Sequence, residues 1–266
     1  MTGSVNAGFQ GEVMGDWVLL RGLVRQQKHW EQFPQRFAEA FPEARVHTLD
    51  LPGNGLLCDR PSPLTVREMM ESARQQLQAK GIAGPVNLLA ISLGGMVAIE
   101  WMHRHRHEVD AAVIINSSMR DAGTLFDRLQ PANYPAILKN LLLERDPLSR
   151  EQLILDISSN LYPHKQELAR KWSGYATTHP TRIRNALRQL LAAARYSAPK
   201  RRPHDRVLVL NSAHDRLVNP VCSERMAQRW NWPLRTHPRA GHDLPLDDGL
   251  WILEQIKQWQ QEQTAS

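Results

Sequence analysis

The run Val86-Asn87-Leu88-Leu89-Ala90-Ile91-Ser92-Leu93-Gly94-Gly95-Met96 constrains this chain more than any other. Val86 to Ile91 is short, apolar and preceded by Gly84-Pro85, so it reads as a buried strand. Met96 to His107 has helical length, with Val97 and Trp101, and Ala98 and Met102, at four-residue spacing. Ser92 therefore occupies a very tight strand-to-helix turn, where Gly94 and Gly95 let backbones approach closely. Such a turn exposes the serine hydroxyl and leaves the next N–H, that of Leu93, free to bind an anion. The same residues equally suit a plain Ser-Gly-Gly turn between two core elements. The choice between the two rests on the rest of the chain.

Strands and helices alternate around this run. Trp17 to Leu23 reads as a strand entering a glycine turn. Trp30 to Ala40 reads as a helix through Trp30, Phe33 and Phe37, closed by Pro42. Arg45 to Asp50 is the next strand and leads into Leu51-Pro52-Gly53-Asn54-Gly55. Thr65 then caps a helix, with Glu68 completing a capping box and Gly81 ending it. Ala111 to Asn116 is a further strand, after which alternation stops and Asp121 to Ser197 is helix-like. It resumes with a strand at Arg206 to Leu210, a helix opened by Asn219-Pro220 and a short strand at Trp232 to Thr236. An amphipathic helix from Leu250 to Glu262 closes the chain, with Asp247 and Asp248 at its start. Strands that are continuous apolar runs, separated by helices, mean a parallel sheet covered on both faces. The expected fold is α/β, a mostly parallel doubly wound sheet. Residues 1–118 and 204–266 form its core, and 119–203 form a helical lid inserted over one edge.

Several classes of protein are disfavoured. No run of eighteen apolar residues occurs, so no membrane span is expected. Residues 1–10 lack the basic start and apolar centre of a secretory signal. Cys58 and Cys222 are isolated, which fits a reducing cytoplasm better than a disulfide framework. No metal or cofactor is expected. His103-Arg104-His105-Arg106-His107 reads as an exposed helix end, where cations suit the dipole. The net charge of +6 is concentrated: residues 119–205 carry 15 Lys/Arg against 8 Asp/Glu, and the remainder 18 against 19. No aromatic residues interleave with Lys200-Arg201-Arg202, which reads as the linker back to the sheet, so nucleic acid is not the expected partner. The excess reads either as solvated helix faces or as a docking face for an acidic acyl carrier, including Arg182, Arg184, Arg188 and Arg195.

A serine needs a base to act as a nucleophile, and the base needs an acid to orient it. In an open parallel sheet these groups come from loops at the carboxyl ends of strands. Two such loops carry candidates. Asp215 lies in Asn211-Ser212-Ala213-His214-Asp215-Arg216, after the strand ending at Leu210. His242 lies in Ala240-Gly241-His242-Asp243, after the last strand. Asp in a loop is commonly a turn residue, and His after Gly is commonly at a surface. The joint placement of Ser92, Asp215 and His242, each just past a strand and in that order, favours chemistry over turns. Asp121 is a second, weaker candidate for the acid.

Taken together, these segments resemble the α/β-hydrolase superfamily over nearly the full length of the chain. Ala90-Ile91-Ser92-Leu93-Gly94 matches its G-x-S-x-G nucleophile elbow, with Ala90 at the first glycine. Arg21-Gly22-Leu23 corresponds to its His-Gly turn, with Arg21 at the histidine. Asp50-Leu51-Pro52-Gly53-Asn54-Gly55 resembles its D-x-P-G-x-G loop. The resemblance implies a triad of Ser92, Asp215 and His242 and an oxyanion hole from the N–H groups of Leu23 and Leu93. It implies hydrolysis of a small or medium carboxylic ester through an acyl-enzyme. Thioester or carrier-ester hydrolysis, carbon–carbon bond hydrolysis and acyl transfer use the same triad, and a binding module that kept the fold is the non-enzyme alternative. Arg21 either alters the mouth of the oxyanion site or forms a structural ion pair, and the ion pair is the favoured expectation. In proteins of this kind the lid roofs the acyl pocket, and Tyr134, Ile137, Leu141, Trp172 and Tyr175 are the bulky candidates, most of them expected to pack the lid onto the core.

Overall fold

The structure, a computed structural model, describes residues 13–142 and 146–265, with the side chains of 140–142 and 265 outside the description. Six strands form one parallel sheet: β1 (Gly15–Leu20), β2 (Ala44–Leu49), β3 (Val86–Ile91), β4 (Val109–Ile115), β5 (Val207–Ser212) and β6 (Leu234–His237). Their spatial order is β2-β1-β3-β4-β5-β6, and every pairing is parallel. The doubly wound sheet expected from the sequence is therefore observed.

The strand pattern explains both covered faces. Side chains alternate across a strand, and here both sets are apolar. Val18, Leu20, Leu88, Ala90, Ala112 and Ile114 face one core, built with α2 (Val66–Ala79), α3 (Leu93–Arg104) and α9 (Val221–Trp230). Trp17, Leu19, Leu89, Ile91, Val113 and Ile115 face the other, against α1 (Phe33–Ala40) and α10 (Leu244–Ala265). Between β4 and β5 the chain is helical: α4 (Leu125–Arg128), α5 (Tyr134–Leu142), α6 (Pro147–Ser158), α7 (Lys165–Thr178) and α8 (Ile183–Arg195). Asp146 starts α6 by accepting from the N–H groups of Leu148 and Ser149, with Pro147 in the first turn. α6 and α7 then pack as a pair around Leu155, Leu168, Ala169 and Trp172.

The order of strands creates the crevice. From β1 the chain steps outward to β2, then returns to place β3 on the other side of β1 and continues away. Loops leaving β1 and β3 diverge at this reversal, the usual site for a ligand in an open α/β sheet. Arg21-Gly22-Leu23 leaves β1 there, and Ser92 leaves β3.

Three helices differ from their expected bounds. The helix expected over Trp30 to Ala40 splits into a 3-10 turn, Gln27–Trp30, and α1, because Glu31 takes φ 51° and Pro34 fits only a first turn. The helix after Ser92 begins at Leu93 rather than Met96 and ends at Arg104. The last helix begins at Leu244 and kinks at Asp248, whose carboxylate accepts the Trp251 N–H and so starts the stretch expected from the sequence.

Candidate active site

The geometry at Ser92 follows from the residues around it. Ser92 has φ 57° and ψ −121°, a conformation that non-glycine residues adopt only where surrounding structure compels it. Its N–H donates to Ile115 O at 2.9 Å, and its carbonyl accepts the Ser117 hydroxyl at 2.8 Å. Ser92 is the N-cap residue of α3, but its side chain makes no capping hydrogen bond. Gly94 is obligatory for packing: a Cβ there would lie 2.4 Å from the Leu20 carbonyl oxygen and 2.8 Å from that of Arg21. Gly94→Ala is therefore expected to cost about 1–3 kcal/mol or more through overpacking against main chain. Urea denaturation measures it, and parental stability would show that β1 and α3 can separate. The Ala90 substitution in the elbow is absorbed without exposure, since Ala90 lies wholly in the core.

Asp215 and His242 are brought together. His242 Nδ1 lies 2.7 Å from Asp215 Oδ2, with both side chains buried. The other carboxylate oxygen of Asp215 accepts the N–H groups of Leu217 and Val218 at 2.8 and 2.9 Å. Asp215 is thus held as an acceptor on both oxygens, which leaves Nε2 as the nitrogen through which His242 can act on a serine. Asn116, at the end of β4 with φ 44°, supports this arrangement. Its Nδ2 donates to His242 O at 2.8 Å, and its Oδ1 accepts the Ser212 N–H at 2.9 Å. The His242 loop is thereby tied to the end of β5. In the sequence Asn116 is only a strand end; its role appears once Ser212 and His242 arrive beside it. Asp121 stands away from this pair, 3.6 Å from Arg229.

Arg21 does form the expected ion pair, and its partner is informative. Its guanidinium grips Asp243 in a two-pronged contact, 3.0 and 2.6 Å, with side chains only 4 % and 6 % exposed. The guanidinium also lies 4.8 Å from the centre of the Trp30 ring. The pair clamps the residue before Gly22 to the residue after His242. Arg21→Met leaves Asp243 buried without its cation and is expected to destabilise the fold by about 3–5 kcal/mol, with much of this recovered by adding Asp243→Leu. Chemical denaturation of the two variants checks both steps; no recovery in the double variant would show that the pair is replaceable only as ions.

Ser92, His242, Gly22 and Leu23 line one cavity of about 380 Å³. A Cβ on Gly22 would lie 3.0 Å from Ser92 Cβ, so the Gly22 backbone packs directly against the serine. The Leu93 N–H opens α3, where helix N–H groups lack internal acceptors and the dipole favours negative charge. The opposite wall comes from Ile137 on α5, Leu153, Ile154 and Ile157 on α6, Ala176 on α7 and Leu190 on α8. Arg25, His29 and Glu151 add a polar corner. Arg25 pairs with Glu151 at 2.6 Å and donates to His29 Nε2 at 3.0 Å. Burial, with the nearby charges of Arg25 and Arg21, holds His29 well below the usual imidazole pKa, so it stays neutral. Cys222 is no rival nucleophile: burial pushes its thiol up to about 12.

The bulky side chains expected to roof the pocket need correction. Trp172 is fully buried between α6 and α7, donating Nε1 to Glu31 at 2.7 Å. Tyr175 packs on that same cluster and edge-on to His29, and Tyr134 begins α5 half-buried. None of the three lines the cavity, whereas Ile137, one turn beyond Tyr134, does. Helices packed on one another spend their aromatic surface on that contact, leaving aliphatic residues for the cavity wall. Leu141 lies outside the described side chains. Of the basic residues considered for a carrier, Arg182 pairs with Asp59 and Arg188 donates to Ser62 O, while Arg184 and Arg195 are exposed. Among the described residues no helix is long and apolar enough to cross a membrane.

Solved structures with the same fold carry varied activities. The chain is similar to a thermophilic esterase from Thermogutta terrifontis, at 18% identity and TM-score 0.71, covering 95% of this chain and 91% of that one. It is similar to an enol-lactonase from Burkholderia xenovorans, at 15% identity and TM-score 0.72, covering 92% and 91%. It is also similar to a 2-hydroxy-6-oxo-6-phenylhexa-2,4-dienoate hydrolase from Rhodococcus, at 19% identity and TM-score 0.72, covering 92% and 90%. At these identities the likeness concerns the fold. No curated protein matches the sequence. A family model described as "Alpha/beta hydrolase family" matches residues 17–254, spanning every strand of the sheet but the first two residues of β1, together with the elbow and both partner loops: the chain belongs to the alpha/beta hydrolase family.

Proposed function

We propose that this protein is a serine hydrolase that cleaves a small or medium carboxylic ester through an acyl-enzyme on Ser92. The observation that carries this reading is the Asp215–His242 pair at 2.7 Å, with His242 and the strained Ser92 on the wall of one cavity. In the first half-reaction His242 Nε2 takes the Ser92 proton as Oγ attacks the ester carbonyl carbon, and Asp215 stabilises the imidazolium that forms. The N–H groups of Leu23 and Leu93 bind the tetrahedral oxyanion, each contributing about 3–4 kcal/mol where such donors have been removed in a comparable enzyme. The intermediate collapses as its carbon–oxygen bond to the alcohol breaks and His242 returns the proton to that oxygen. Water then attacks the acyl carbon with His242 again as base, releasing the acid and restoring Ser92.

The mostly apolar wall supports an acyl group with hydrocarbon character, and residues 119–203 act as its lid. An acidic carrier has weaker support, since Arg182 and Arg188 of its expected face are already engaged within the chain. A fluorophosphonate probe, followed by p-nitrophenyl esters of graded chain length beside the matching thioesters, tests the reading. The expected result is labelling on Ser92 and ester turnover. Absence of labelling would favour the binding-module alternative, and preferential thioester turnover would move the substrate class.

A further inference from the structure

α8 contradicts the usual rule for a surface helix, which turns its apolar stripe toward the core. Its buried side chains are Asn185, Ala186, Gln189 and Ala192, whereas Ile183, Leu187 and Leu191 are 40%, 48% and 37% exposed. Buried amides are costly unless hydrogen-bonded, so their partners explain their presence. Asn185 accepts the Ser62 N–H at 2.9 Å and donates to Arg60 O at 3.2 Å. Gln189, fully buried, donates through Nε2 to Asn54 Oδ1 and Ser62 Oγ, each at 3.0 Å. Its carbonyl Oε1 accepts the Val24 N–H at 2.9 Å, across 165 residues of sequence.

Val24 follows Leu23 directly and has φ 50°. For a β-branched residue this is a genuine outlier, which persists only where neighbours hold it. A Val24 that relaxed to negative φ would swing the Leu23–Val24 peptide and carry Leu23 with it. We propose that Gln189 is a positioning residue for the oxyanion donor of Leu23, holding the loop after β1 in its strained shape through the buried bond to Val24. This rests on the serine-hydrolase reading above, in which Leu23 binds the oxyanion. Gln189 touches no reacting atom. Its effect falls on the transition state, where the donor must meet the oxyanion, while substrate in the ground state is held by the cavity wall.

The test uses the full chain with a p-nitrophenyl ester and three variants. Gln189→Leu removes both polar groups and is expected to lower kcat by roughly 10- to 100-fold, the scale of small misplacements at a reacting centre, with KM within about twofold. Gln189→Glu keeps an oxygen for the Val24 N–H and is expected to retain kcat within about fivefold of the parent. Val24→Gly added to Gln189→Leu is expected to recover part of the lost kcat, because glycine adopts positive φ without strain. Thermal midpoints are measured alongside, and Gln189→Met replaces Gln189→Leu if the latter is insoluble. Parental kcat in Gln189→Leu overturns the proposal. So does an equal loss in Gln189→Glu with no recovery in the double variant, since that marks a merely structural amide. Fluorophosphonate labelling of the parent and of Ser92→Ala tests the underlying reading separately: an unlabelled parent removes that reading and this inference together, whereas a labelled parent with kcat indifferent to Gln189 removes this inference alone.

Discussion

Ser92→Ala is expected to lower kcat for ester hydrolysis by a factor on the order of 10⁶, the size of the loss when a triad serine is removed from a comparable hydrolase. The fold is expected to survive the change. The Ser92 hydroxyl makes no capping bond to α3, and the contacts that hold residue 92 in place run through its main chain to Ile115 and Ser117. Alanine has the same backbone preferences at φ 57°, so loss of activity separates cleanly from loss of structure. Single-turnover and steady-state assays, with circular dichroism as the control, make the measurement. Hydrolysis near the parental rate by this variant would sink the acyl-enzyme mechanism.

Asp215→Asn is the second large effect, expected at about 10⁴-fold in kcat. The physical reason lies in how Asp215 is held. One of its oxygens accepts two N–H groups, from Leu217 and Val218, and the other faces His242 Nδ1 at 2.7 Å. An asparagine keeps its carbonyl oxygen on the two N–H groups, because turning its NH₂ there would set donor against donor. The NH₂ then faces Nδ1 and forces the imidazole into the tautomer protonated on Nε2, which cannot accept the serine proton. The kcat–pH profile of this variant checks the tautomer, and a loss smaller than about tenfold would show that Asp215 only orients the ring.

How much of this site could be read in advance depends on where each residue sits. Ser92, Asp215 and His242 were legible because each stands a few residues beyond an apolar strand, and a parallel sheet collects its strand ends along one edge. The ion pair of Arg21 was expected from its departure from the family pattern, but its partner Asp243 was not, although it adjoins His242. Asn116 and Gln189 escaped notice for a common reason: a single amide at a strand end or on a helix has many possible uses. Its role appears only when residues 126 and 165 positions away arrive beside it.

The helical segment between β4 and β5 marks the limit most clearly. Its helical character and its basic excess were apparent from composition and periodicity. Which of its side chains face the cavity was not, because α6 and α7 bury Trp172 against each other and α8 turns its amides inward. Local pattern therefore carried the sheet, the tight turn at Ser92 and the order of Ser92, Asp215 and His242, since strand ends and tight turns are set by near neighbours. The shape of the loop after β1 and the cavity wall were decided by tertiary packing, since there one helix face chooses among partners that no local period encodes.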